Sequence, residues 1–448
     1  MLKDAWALAI ETLNQIELRK SSERLALAQN SRRLGITDSN SIRYAYGLVT
    51  ETERYRNLID KLIKAVTKPK TLKQFSISVQ AFLRLYVYQT RIAKDYKQSN
   101  LEEAIRIAKL GRSIIGWRTI RTVEQYLGLL LTRQIEDIIR ESTDEERIAL
   151  RTFHPTWFVK YCFRLFGRNE AIAFLNQNIR PPPTFLRLNT LSASQDEIIE
   201  KLDTEGVKLE KIETLKYVYK VIDSKHSLLD LTSYDEGLFY IQDKASCFAV
   251  EAANPKPNMT ILDVCAAPGA KTTYLAQLMQ NEGVIYSLDY STRRMQTWKQ
   301  EIKCLGINIA EPIIADVCTG LRVNVEANIV VLDPPCTSTG SFGRKPSAKW
   351  RLTPKSVETM IEIQWLMINN CAENVKSHGF LVYTTGSIMV EENEMIIERF
   401  LKWNPEFHLT EITPQIGLPG LRELTQCRRL YPHLNESNGT FIAKLKKD

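Results

Sequence analysis

The sequence predicts an α/β protein built around a parallel sheet that is covered by helices on both faces. From about Leu238 onward, short apolar strands alternate with longer helices, which is typical of βαβ units. The first 150 residues contain a single proline, Pro69, and repeat apolar residues at helical spacing, which predicts a separate all-helical domain. A chain of 448 residues is long enough for two or three domains.

The all-helical domain is predicted over residues 1–150. Its apolar residues are spaced to form one buried face of each helix, as in the run Leu58, Ile59, Leu62, Ile63 and Val66. Basic residues such as Arg32 and Arg43 are interleaved with Tyr44 and Tyr46. This mixture fits a surface that binds RNA, and it equally fits a solvated helix face.

A small α+β module is predicted over residues 151–235. Three consecutive prolines, Pro181 to Pro183, forbid a helix and impose an extended segment. Ser192 and Gln195 form a predicted capping box before a helix that ends near Gly206. Strands are predicted over residues 186–189 and 217–222.

Composition excludes several classes of protein. Sixty Lys and Arg residues against 52 Asp and Glu residues give a net charge of +8, which is compatible with a nucleic-acid partner. The eight cysteines form no CxxC pair and lie near no histidine cluster, so neither a disulfide framework nor a metal site is expected. There is no apolar run long enough to span a membrane and no signal peptide, so we expect a cytoplasmic protein.

Acidic residues mark the ends of the predicted strands of the α/β domain, which run over residues 260–264, 284–289, 312–315, 329–333 and 380–385. Asp263 lies near the end of the first strand, Asp289 ends the second, and Asp316 follows the third. Ligands bind such sheets at the carboxyl ends of the strands. An acid that ends the second strand commonly accepts hydrogen bonds from ribose hydroxyls.

The loop after the first strand is rich in small residues and leads into a helix, which is typical of a site that holds an anionic group. A phosphate-binding P-loop requires glycine immediately before Lys271 and five positions earlier, where this chain has Ala270 and Cys265. The sequence also lacks a GxGxxG dinucleotide motif at this position.

The fourth strand ends in Asp333, followed by two prolines that present Cys336 at the edge of the sheet. A lone cysteine is usually a small buried apolar residue. Here Lys345, Lys349 and Arg351 follow closely, so a lowered pKa and a reactive thiolate are also plausible.

These segments resemble the Fmu/Sun (NOL1/NOP2/Sun) family of S-adenosylmethionine-dependent RNA cytosine-5 methyltransferases, and most closely its members with an N-terminal NusB-like domain. The resemblance covers nearly the whole chain. It is carried by residues 242–246, 262–273 and 333–340, Lys349-Trp350-Arg351, Gln364, residues 391–394, residues 154–157 and 186–190, and residues 439–443. The helical block resembles the family less closely, through Tyr46-Gly47 and Leu83-Arg84-Leu85.

The resemblance implies a Rossmann-like class I methyltransferase domain over residues 236–448, a NusB-like RNA-binding domain over 1–150, and a linking module over 151–235. It implies S-adenosylmethionine as the cofactor and no metal. The implied cofactor residues are Cys265, Ala266, Ala267, Pro268, Gly269, Ala270, Lys271, Asp289, Arg294, Asp316 and Asp333. Contacts with RNA phosphates are expected from Arg187, Lys345, Lys349 and Arg351.

One departure from the family affects its chemistry. The family attacks C6 of cytosine with a thiolate from a Thr-Cys-Ser segment, because C5 alone is a poor nucleophile. In this chain the corresponding position is Gly386, between Thr385 and Ser387. A glycine has no side chain that can attack the base.

Three interpretations therefore stay open. In the leading one, Cys336 is the nucleophile and Asp333 lies near the base edge, so the chain methylates C5 of a cytosine. In the second, the fold methylates another RNA atom without a covalent adduct. In the third, the protein binds RNA and retains a cofactor pocket without catalysis.

The substrate expected by analogy with the family is ribosomal RNA rather than transfer RNA, with the target cytosine single-stranded or flipped out of the helix. The sequence does not indicate an oligomeric state.

Overall fold

The computed structural model describes residues 1–93, 101–320, 323 and 325–448. The chain forms two compact units. The helical unit comprises Met1–Pro181 and Phe342–Arg351, and the catalytic unit comprises Pro182–Ser341 and Leu352–Asp448. Within the described ranges, no helix is both long and apolar enough to cross a membrane.

The predicted all-helical domain is confirmed. One hydrophobic core runs through it, and α4, for example, buries Leu58, Ile59, Leu62 and Ile63 on one face. Its helices are α1 Leu2–Arg19, α2 Glu23–Leu34, α3 Ser39–Arg54, α4 Arg56–Thr67, α5 Ile77–Val87, α6 Leu101–Ile115, α7 Trp117–Arg121, α8 Glu124–Thr132, α9 Ile135–Arg140, α10 Asp144–Arg151, α11 Thr156–Phe166 and α12 Arg168–Asn178, with a 3₁₀ turn at Leu72–Gln74 and a π-helical turn at Tyr88–Ile92.

The helical unit extends beyond the predicted boundary at residue 150. Helices α11 and α12 belong to it, and it ends at Pro181, where the prolines stop helical structure. Phe342–Arg351, from much later in the chain, also belongs to it. In that segment the indole N–H of Trp350 donates a hydrogen bond to the Glu53 carbonyl at 2.7 Å.

The catalytic unit begins with the predicted α+β module, a four-stranded antiparallel sheet in the order β2-β3-β1-β4. Its elements are β1 Phe185–Leu188, α13 Gln195–Thr204, β2 Val207–Lys211, β3 Val218–Ser224, a 3₁₀ turn at Leu228–Asp230, α14 Thr232–Asp235 and β4 Phe239–Ile241. The module therefore extends past the predicted boundary at residue 235. The capping box is formed by Ser194 and Glu197, not by Ser192 and Gln195, because Ser194 accepts from the Glu197 N–H and Glu197 accepts from the Ser194 N–H.

The larger sheet of the catalytic unit has the predicted parallel core. Its strands follow the order β11-β12-β13-β9-β8-β5-β6-β7, with β10 also paired to β13. The elements are α15 Lys244–Ala253, β5 Met259–Val264, α16 Ala270–Leu278, β6 Gly283–Asp289, α17 Thr292–Cys304, β7 Ala310–Ile314, a 3₁₀ turn at Val317–Thr319, β8 Ala327–Leu332, α18 Ala348–Arg351, α19 Pro354–Ala372, β9 Val375–Thr385, α20 Glu394–Trp403, β10 Phe407–Leu409, β11 Leu418–Pro419, β12 Arg428–Leu430, α21 Pro432–Asn435 and β13 Thr440–Lys447. Of these, α18 lies in the helical unit.

Successive residues of the central strands face opposite sides of the sheet, as the pleat requires. In β8, Ile329 and Val331 join one hydrophobic cluster, while Val330 and Leu332 join the other. The first cluster includes residues of α15, α16 and α17, and the second includes residues of α19 and α20. Helices thus cover both faces, and the carboxyl edge of the parallel strands is left for a site.

Candidate active site

The register of the parallel strands brings the predicted strand ends to one edge. Val264 of β5 is paired with Leu288 of β6 on one side and with Leu332 of β8 on the other. Leu332 is in turn paired with Tyr383 of β9. The loops that follow these strands therefore start side by side, as the sequence predicts.

Asp263 is fully buried beneath the cofactor loop. Its Oδ2 accepts a hydrogen bond from Thr272 Oγ1 at 2.6 Å, and Thr272 Oγ1 accepts one from the Trp298 indole N–H at 3.0 Å. Burial raises the pKa of Asp263 to about 7, although the Thr272 hydrogen bond and the Lys271 charge oppose the rise. Its other oxygen, Oδ1, is buried and accepts no hydrogen bond within the described residues.

The cofactor loop is held close to the sheet by its backbone. The Ala266 N–H donates to the Leu288 carbonyl at 2.9 Å. Gly269 has a φ of +117°, a backbone conformation that disfavours other residues, and it precedes helix α16. Ala270 stands where the family usually has glycine, and it opens α16 in a helical conformation that alanine adopts readily. The first N–H groups of α16 can bind an anionic group at this end of the helix.

Asp289 is buried at the end of β6. Its Oδ1 accepts from the Ser291 N–H at 3.0 Å. Arg294 Nη1 lies 2.9 Å from Oδ2 without forming an aligned hydrogen bond, so Oδ2 remains an acceptor without a donor. Arg294 also donates to the Ala267 carbonyl, which ties the cofactor loop to α17.

Asp316 is exposed, two residues beyond the end of β7. Its Oδ1 accepts from the Cys318 N–H at 3.0 Å and thereby caps a 3₁₀ turn. Sequence analysis placed Asp316 at a strand end, and the structure shows a local capping role as well.

Lys271 and Asp333 form an ion pair between the cofactor loop and the loop after β8. The ammonium nitrogen lies 2.5 Å from Asp333 Oδ2. Burial by itself would lower the pKa of Lys271, but the carboxylates of Asp333 and Asp263 raise it overall. Lys271 thus stays protonated, and Asp333 Oδ1 remains available to accept a hydrogen bond.

Cys336 lies beside Gly386. A Cβ atom built on Gly386 would stand 3.8 Å from Cys336 Sγ, an ordinary van der Waals distance. Burial raises the pKa of the Cys336 thiol to about 12, and the carboxylates of Glu392 and Asp333 add to the rise. The expectation of a lowered pKa is therefore wrong for the protein without ligands, because the thiol is buried and the charged side chains that face it are anionic.

Arg187, expected to contact RNA phosphate, is instead buried inside the catalytic unit. Its guanidinium donates to Thr273 Oγ1 at 2.8 Å and Gln277 Oε1 at 3.1 Å, both on α16. It also lies over the rings of Tyr240 and Tyr274. Arg187 therefore supports the helix that follows the cofactor loop, and the expected phosphate contact is not compatible with this burial.

The three other basic residues expected at the RNA belong to the helical unit. Lys349 is fully buried, and its ammonium donates to the carbonyls of Arg54 at 2.9 Å and Phe153 at 2.6 Å, so the expected phosphate contact fails here as well. Arg351 is partly exposed and donates to the Lys20 carbonyl at 2.9 Å. Lys345 is exposed and fits the expectation.

A buried polar cluster lies beside Cys336 and was not predicted from the sequence. Glu392 is fully buried and accepts from the Thr337 N–H at 2.9 Å and from Gln364 Nε2 at 2.9 Å. Close by, Arg429 and Glu394 form a buried ion pair. The feature of the sequence that could have indicated this cluster is the resemblance of Gln364 and of residues 391–394 to the family. That resemblance marks these positions but does not assign a role to their side chains.

The site fits S-adenosylmethionine. The cofactor carries a ribose with two hydroxyl donors, and Asp289 Oδ2, although paired with Arg294, is a buried oxygen that accepts no aligned hydrogen bond within the described ranges. The residues that would hold the cofactor are those of the loop from Cys265 to Lys271, together with Asp289 and Arg294.

Comparisons with known proteins agree with this geometry. Residues 250–446 match the family described as 16S rRNA methyltransferase RsmB/F, residues 154–220 match the ferredoxin-like domain of RsmF/B-like methyltransferases, and residues 3–113 match the NusB family. The probable ribosomal RNA small subunit methyltransferase B of Bacillus subtilis is 28% identical and covers 98% of both chains. The protein with the same description from Synechocystis is 32% identical over 68% of this chain and 69% of its own.

A solved structure, the methyltransferase homolog protein from Pyrococcus horikoshii, is 30% identical and superposes with a TM-score of 0.62. It covers 68% of this chain and 100% of its own. The fold, the resemblance of the loops and these matches lead to one conclusion: the chain belongs to the RsmB/F family of S-adenosylmethionine-dependent RNA methyltransferases and carries the NusB domain found in part of that family.

Proposed function

We propose that this protein methylates C5 of a cytosine in ribosomal RNA and that Cys336 is the attacking thiol. The observation that carries the second part is the position of Cys336 Sγ next to Gly386, where the resemblance places the usual nucleophile. A thiol at that point can reach the base from nearly the same place. The curated relatives named above are described as ribosomal RNA methyltransferases, which supports ribosomal RNA as the substrate and a cytoplasmic site of action.

The chemistry divides among three side chains. Bound S-adenosylmethionine supplies an electrophilic methyl group. Cys336, once deprotonated, adds through sulfur to C6 of the cytosine, which makes C5 nucleophilic. After methyl transfer, a water molecule takes the C5 proton, and the electron pair of that C–H bond restores the ring double bond and expels the thiolate. Asp333, held by Lys271, can accept a hydrogen bond from the exocyclic amine of the base through Oδ1.

The raised pKa of Cys336 sets a condition on this chemistry. With Glu392 and Asp333 facing the thiol, little thiolate is present at neutral pH in the protein without ligands. The positive sulfonium of the cofactor is a charge of the opposite sign, and its binding favours the thiolate. We therefore expect alkylation of Cys336 to become faster when the cofactor binds.

The test is methyl transfer from labelled S-adenosylmethionine to unmodified ribosomal RNA, followed by digestion and identification of the nucleosides by mass spectrometry. The wild type is expected to produce 5-methylcytidine, and Cys336→Ala is expected to lose it by at least about a thousandfold. Cys304→Ala, at an exposed cysteine outside the site, is the matched control and should keep full activity.

Two outcomes favour the other interpretations. Another methylated nucleoside, formed equally well by Cys336→Ala, would mean direct transfer without a covalent adduct. RNA and cofactor binding without transfer to either ribosomal or transfer RNA would favour a binding protein. If the labelled methyl group is transferred to transfer RNA and not to ribosomal RNA, only the proposed substrate class would need correction.

Lys345 and Lys349 offer a matched test of the RNA contacts. Lys345→Ala should weaken RNA binding and lower the slope of log affinity against log salt by about 0.7–0.9, because one phosphate contact is lost. Lys349→Met should leave that slope unchanged and lower the stability of the protein, because Lys349 is buried. An unchanged slope in Lys345→Ala would remove Lys345 from the RNA-binding surface.

A further inference from the structure

Both neighbours of Cys336 in the chain are held by side chains from other elements. The Pro335 carbonyl accepts a hydrogen bond from Gln364 Nε2 of α19 at 3.0 Å. The Thr337 N–H donates to Glu392 Oε1 at 2.9 Å, and the Thr337 hydroxyl donates to Glu392 Oε2. Cys336 thus lies between two anchored residues, and its own backbone has little freedom to move.

The same carboxylate reaches the turn that contains Gly386. Ser387 Oγ donates to Glu392 Oε2 at 2.5 Å, and Gln364 Nε2 donates to Glu392 Oε1 at 2.9 Å. Two backbone-linked contacts run in parallel: the Gly340 N–H donates to the Gly386 carbonyl at 3.1 Å, and the Ile388 N–H donates to Thr339 Oγ1 at 2.9 Å. The loop after β8 and the turn after β9 are therefore joined by the Glu392 carboxylate together with these contacts and with those of the Ser387 hydroxyl to Thr337 and Thr339.

Glu392 accepts four hydrogen bonds, two on each oxygen, and is fully buried. A buried carboxylate is costly unless its acceptors are filled, and here they are. Because it has no exposed surface, Glu392 does not touch RNA from this position. Its effect on the reaction must pass through the residues it holds.

We infer that Glu392 is a positioning residue that fixes the distance between Cys336 and the turn at Gly386 and thereby aims the Cys336 thiol at the base. This inference rests on the proposed role of Cys336 as the attacking thiol. Gln364 assists, because its amide joins Glu392 to the residue before Cys336.

The charges around Cys336 distinguish a geometric role of Glu392 from an electrostatic one. The thiol of Cys336 is faced by the carboxylates of Glu392 and Asp333 and by the phenol of Tyr383, while Lys271 lies on the other side of Asp333. The Glu392 charge opposes formation of the thiolate. Glu392 hinders ionisation of the Cys336 thiol, yet it anchors both the loop after β8 and the turn after β9. Its hydrogen bonds, and not its charge, therefore explain its contribution to the reaction.

Two substitutions of Glu392 distinguish these effects. Glu392→Gln keeps an acceptor for the two N–H donors, and its amide can donate to the hydroxyls of Thr337 and Ser387, which can also accept. Glu392→Ala removes all four contacts. We expect Glu392→Gln to keep turnover within about tenfold of the wild type and to shift alkylation of Cys336 to lower pH, and Glu392→Ala to lose at least about a hundredfold in turnover with little change in cofactor affinity.

A cross-linking measurement tests the positioning without RNA or turnover. In a Gly386→Cys background, oxidised glutathione can join the introduced thiol to Cys336, with reduced glutathione as the other product. Since the introduced Cβ stands 3.8 Å from Cys336 Sγ, a disulfide is within reach when both loops are in place. Both substitutions remove the Glu392 charge and so change the thiolate fraction of Cys336, which the alkylation rate of each variant measures. After division by that alkylation rate, we expect Glu392→Gln to cross-link within about twofold of the parent and Glu392→Ala at least tenfold more slowly.

Gln364→Leu is the second variant in case Glu392→Ala does not fold. It removes the contacts to Pro335 and Glu392 but leaves the four-residue segment 391–394 intact, and it should slow cross-linking in the same direction. Glu398→Gln, on α20 at an exposed ion pair with Arg422, is the control and should change neither rate. Thermal unfolding of each variant shows whether the fold is retained.

The results separate this inference from the proposed function. Unchanged cross-linking and turnover in Glu392→Ala would overturn the positioning role. Equal losses in Glu392→Gln and Glu392→Ala would overturn the assignment to hydrogen bonds. If cross-linking behaves as expected while the wild type forms no 5-methylcytidine, the positioning stands and the proposed reaction fails.

Discussion

The buried carboxylates at the sheet edge differ in their hydrogen bonding between the side with the cofactor loop, here the cofactor side, and the side with Cys336, here the thiol side. On the cofactor side, Asp263 Oδ1 and Asp289 Oδ2 are buried and accept no aligned hydrogen bond from the described residues, although Arg294 lies 2.9 Å from Asp289 Oδ2. On the thiol side, Glu392 accepts four hydrogen bonds, and Glu394 accepts from Arg429 on both oxygens and from the Leu421 N–H. A buried acceptor without a donor costs about 1–3 kcal/mol.

The difference indicates on which side the buried carboxylates have their hydrogen-bond donors before ligands bind. Unfilled acceptors are tolerated where a ligand brings the donors, so the cofactor side is a binding site whose last hydrogen bonds come from outside. The filled carboxylates of the thiol side, Glu392 and Glu394, form a frame whose hydrogen bonds come from this chain, although Gln364 Oε1 beside Glu392 is buried without a hydrogen-bond partner in the described part of the chain. Substitutions on the thiol side should therefore lower stability, and those on the cofactor side should lower affinity.

The largest expected effect is a loss of folding stability when the frame on the thiol side is broken. Arg429→Met leaves Glu394 as an unpaired buried carboxylate, and removing one partner of a buried pair costs about 3–5 kcal/mol. Urea unfolding of the cofactor-free protein measures this loss. The matched control is Arg422→Met, at an exposed pair with Glu398, which should cost less than about 1 kcal/mol. Equal losses in both variants would contradict the account of the frame.

The second effect is a pH dependence that originates at Asp263. Its folded pKa of about 7 lies above the unfolded value near 3.8, so the folded state holds an extra proton between these pH values. The contribution of Asp263 to stability is therefore full below about pH 4 and is lost as the pH rises toward 7. The loss amounts to about 4 kcal/mol at 1.36 kcal/mol per pKa unit.

Asp263→Asn removes this titration. Urea unfolding of the cofactor-free proteins between pH 4 and pH 8 should show a smaller fall in stability for the variant than for the wild type. Parallel curves for the two proteins would mean that Asp263 is ionised in the fold and that its free oxygen is solvated.

A smaller effect is expected at Asp289. Asp289→Asn replaces the charged side chain that we propose as the acceptor for ribose hydroxyls, and hydrogen bonds to charged groups contribute about 1.5–3 kcal/mol. Affinity for S-adenosylmethionine, measured by calorimetry, should fall about 10- to 100-fold. The stability of the cofactor-free protein should change by less than about 1 kcal/mol. A large loss of stability with unchanged affinity would place Asp289 in the frame instead.

The smallest effect is expected at Asp316. This residue is exposed, and asparagine can keep the cap on the Cys318 N–H. Asp316→Asn should weaken S-adenosylmethionine binding by no more than about fivefold, in the same calorimetric titration, because a solvated hydrogen bond contributes about 0.5–1 kcal/mol. A loss as large as that of Asp289→Asn would show that Asp316 is also an essential acceptor.

The fold and the cofactor side could be predicted because their signals are local. Short apolar strands that carry Asp263 next to their end or Asp289 at their end predict the position of these acids at the edge of a parallel sheet. The cofactor loop is one contiguous segment. The all-helical domain also followed from helical spacing within each segment, whereas its likeness to NusB came from the family resemblance.

The remaining residues could not be placed because their partners are distant in the sequence. Arg187 and Lys349 look like surface cations in the sequence, but each finds acceptors 86 or more residues away that make burial possible. Glu392 similarly acts on Thr337, 55 residues earlier. At Ser192 the error was local: Ser194 competes for the same helix start and has a glutamate three residues later.

The central claim, that Cys336 is the attacking thiol, is tested most directly by trapping its adduct. Ribosomal RNA transcribed with 5-fluorocytidine keeps fluorine at C5, which cannot leave as the proton does, so the enzyme stays bonded to the base after methyl transfer. The wild type incubated with this RNA and S-adenosylmethionine should give an RNA–protein band that survives denaturation, and peptide mapping should place the bond on Cys336. A bond on another cysteine, or methyl transfer to unmodified RNA without any trapped adduct, would contradict the account.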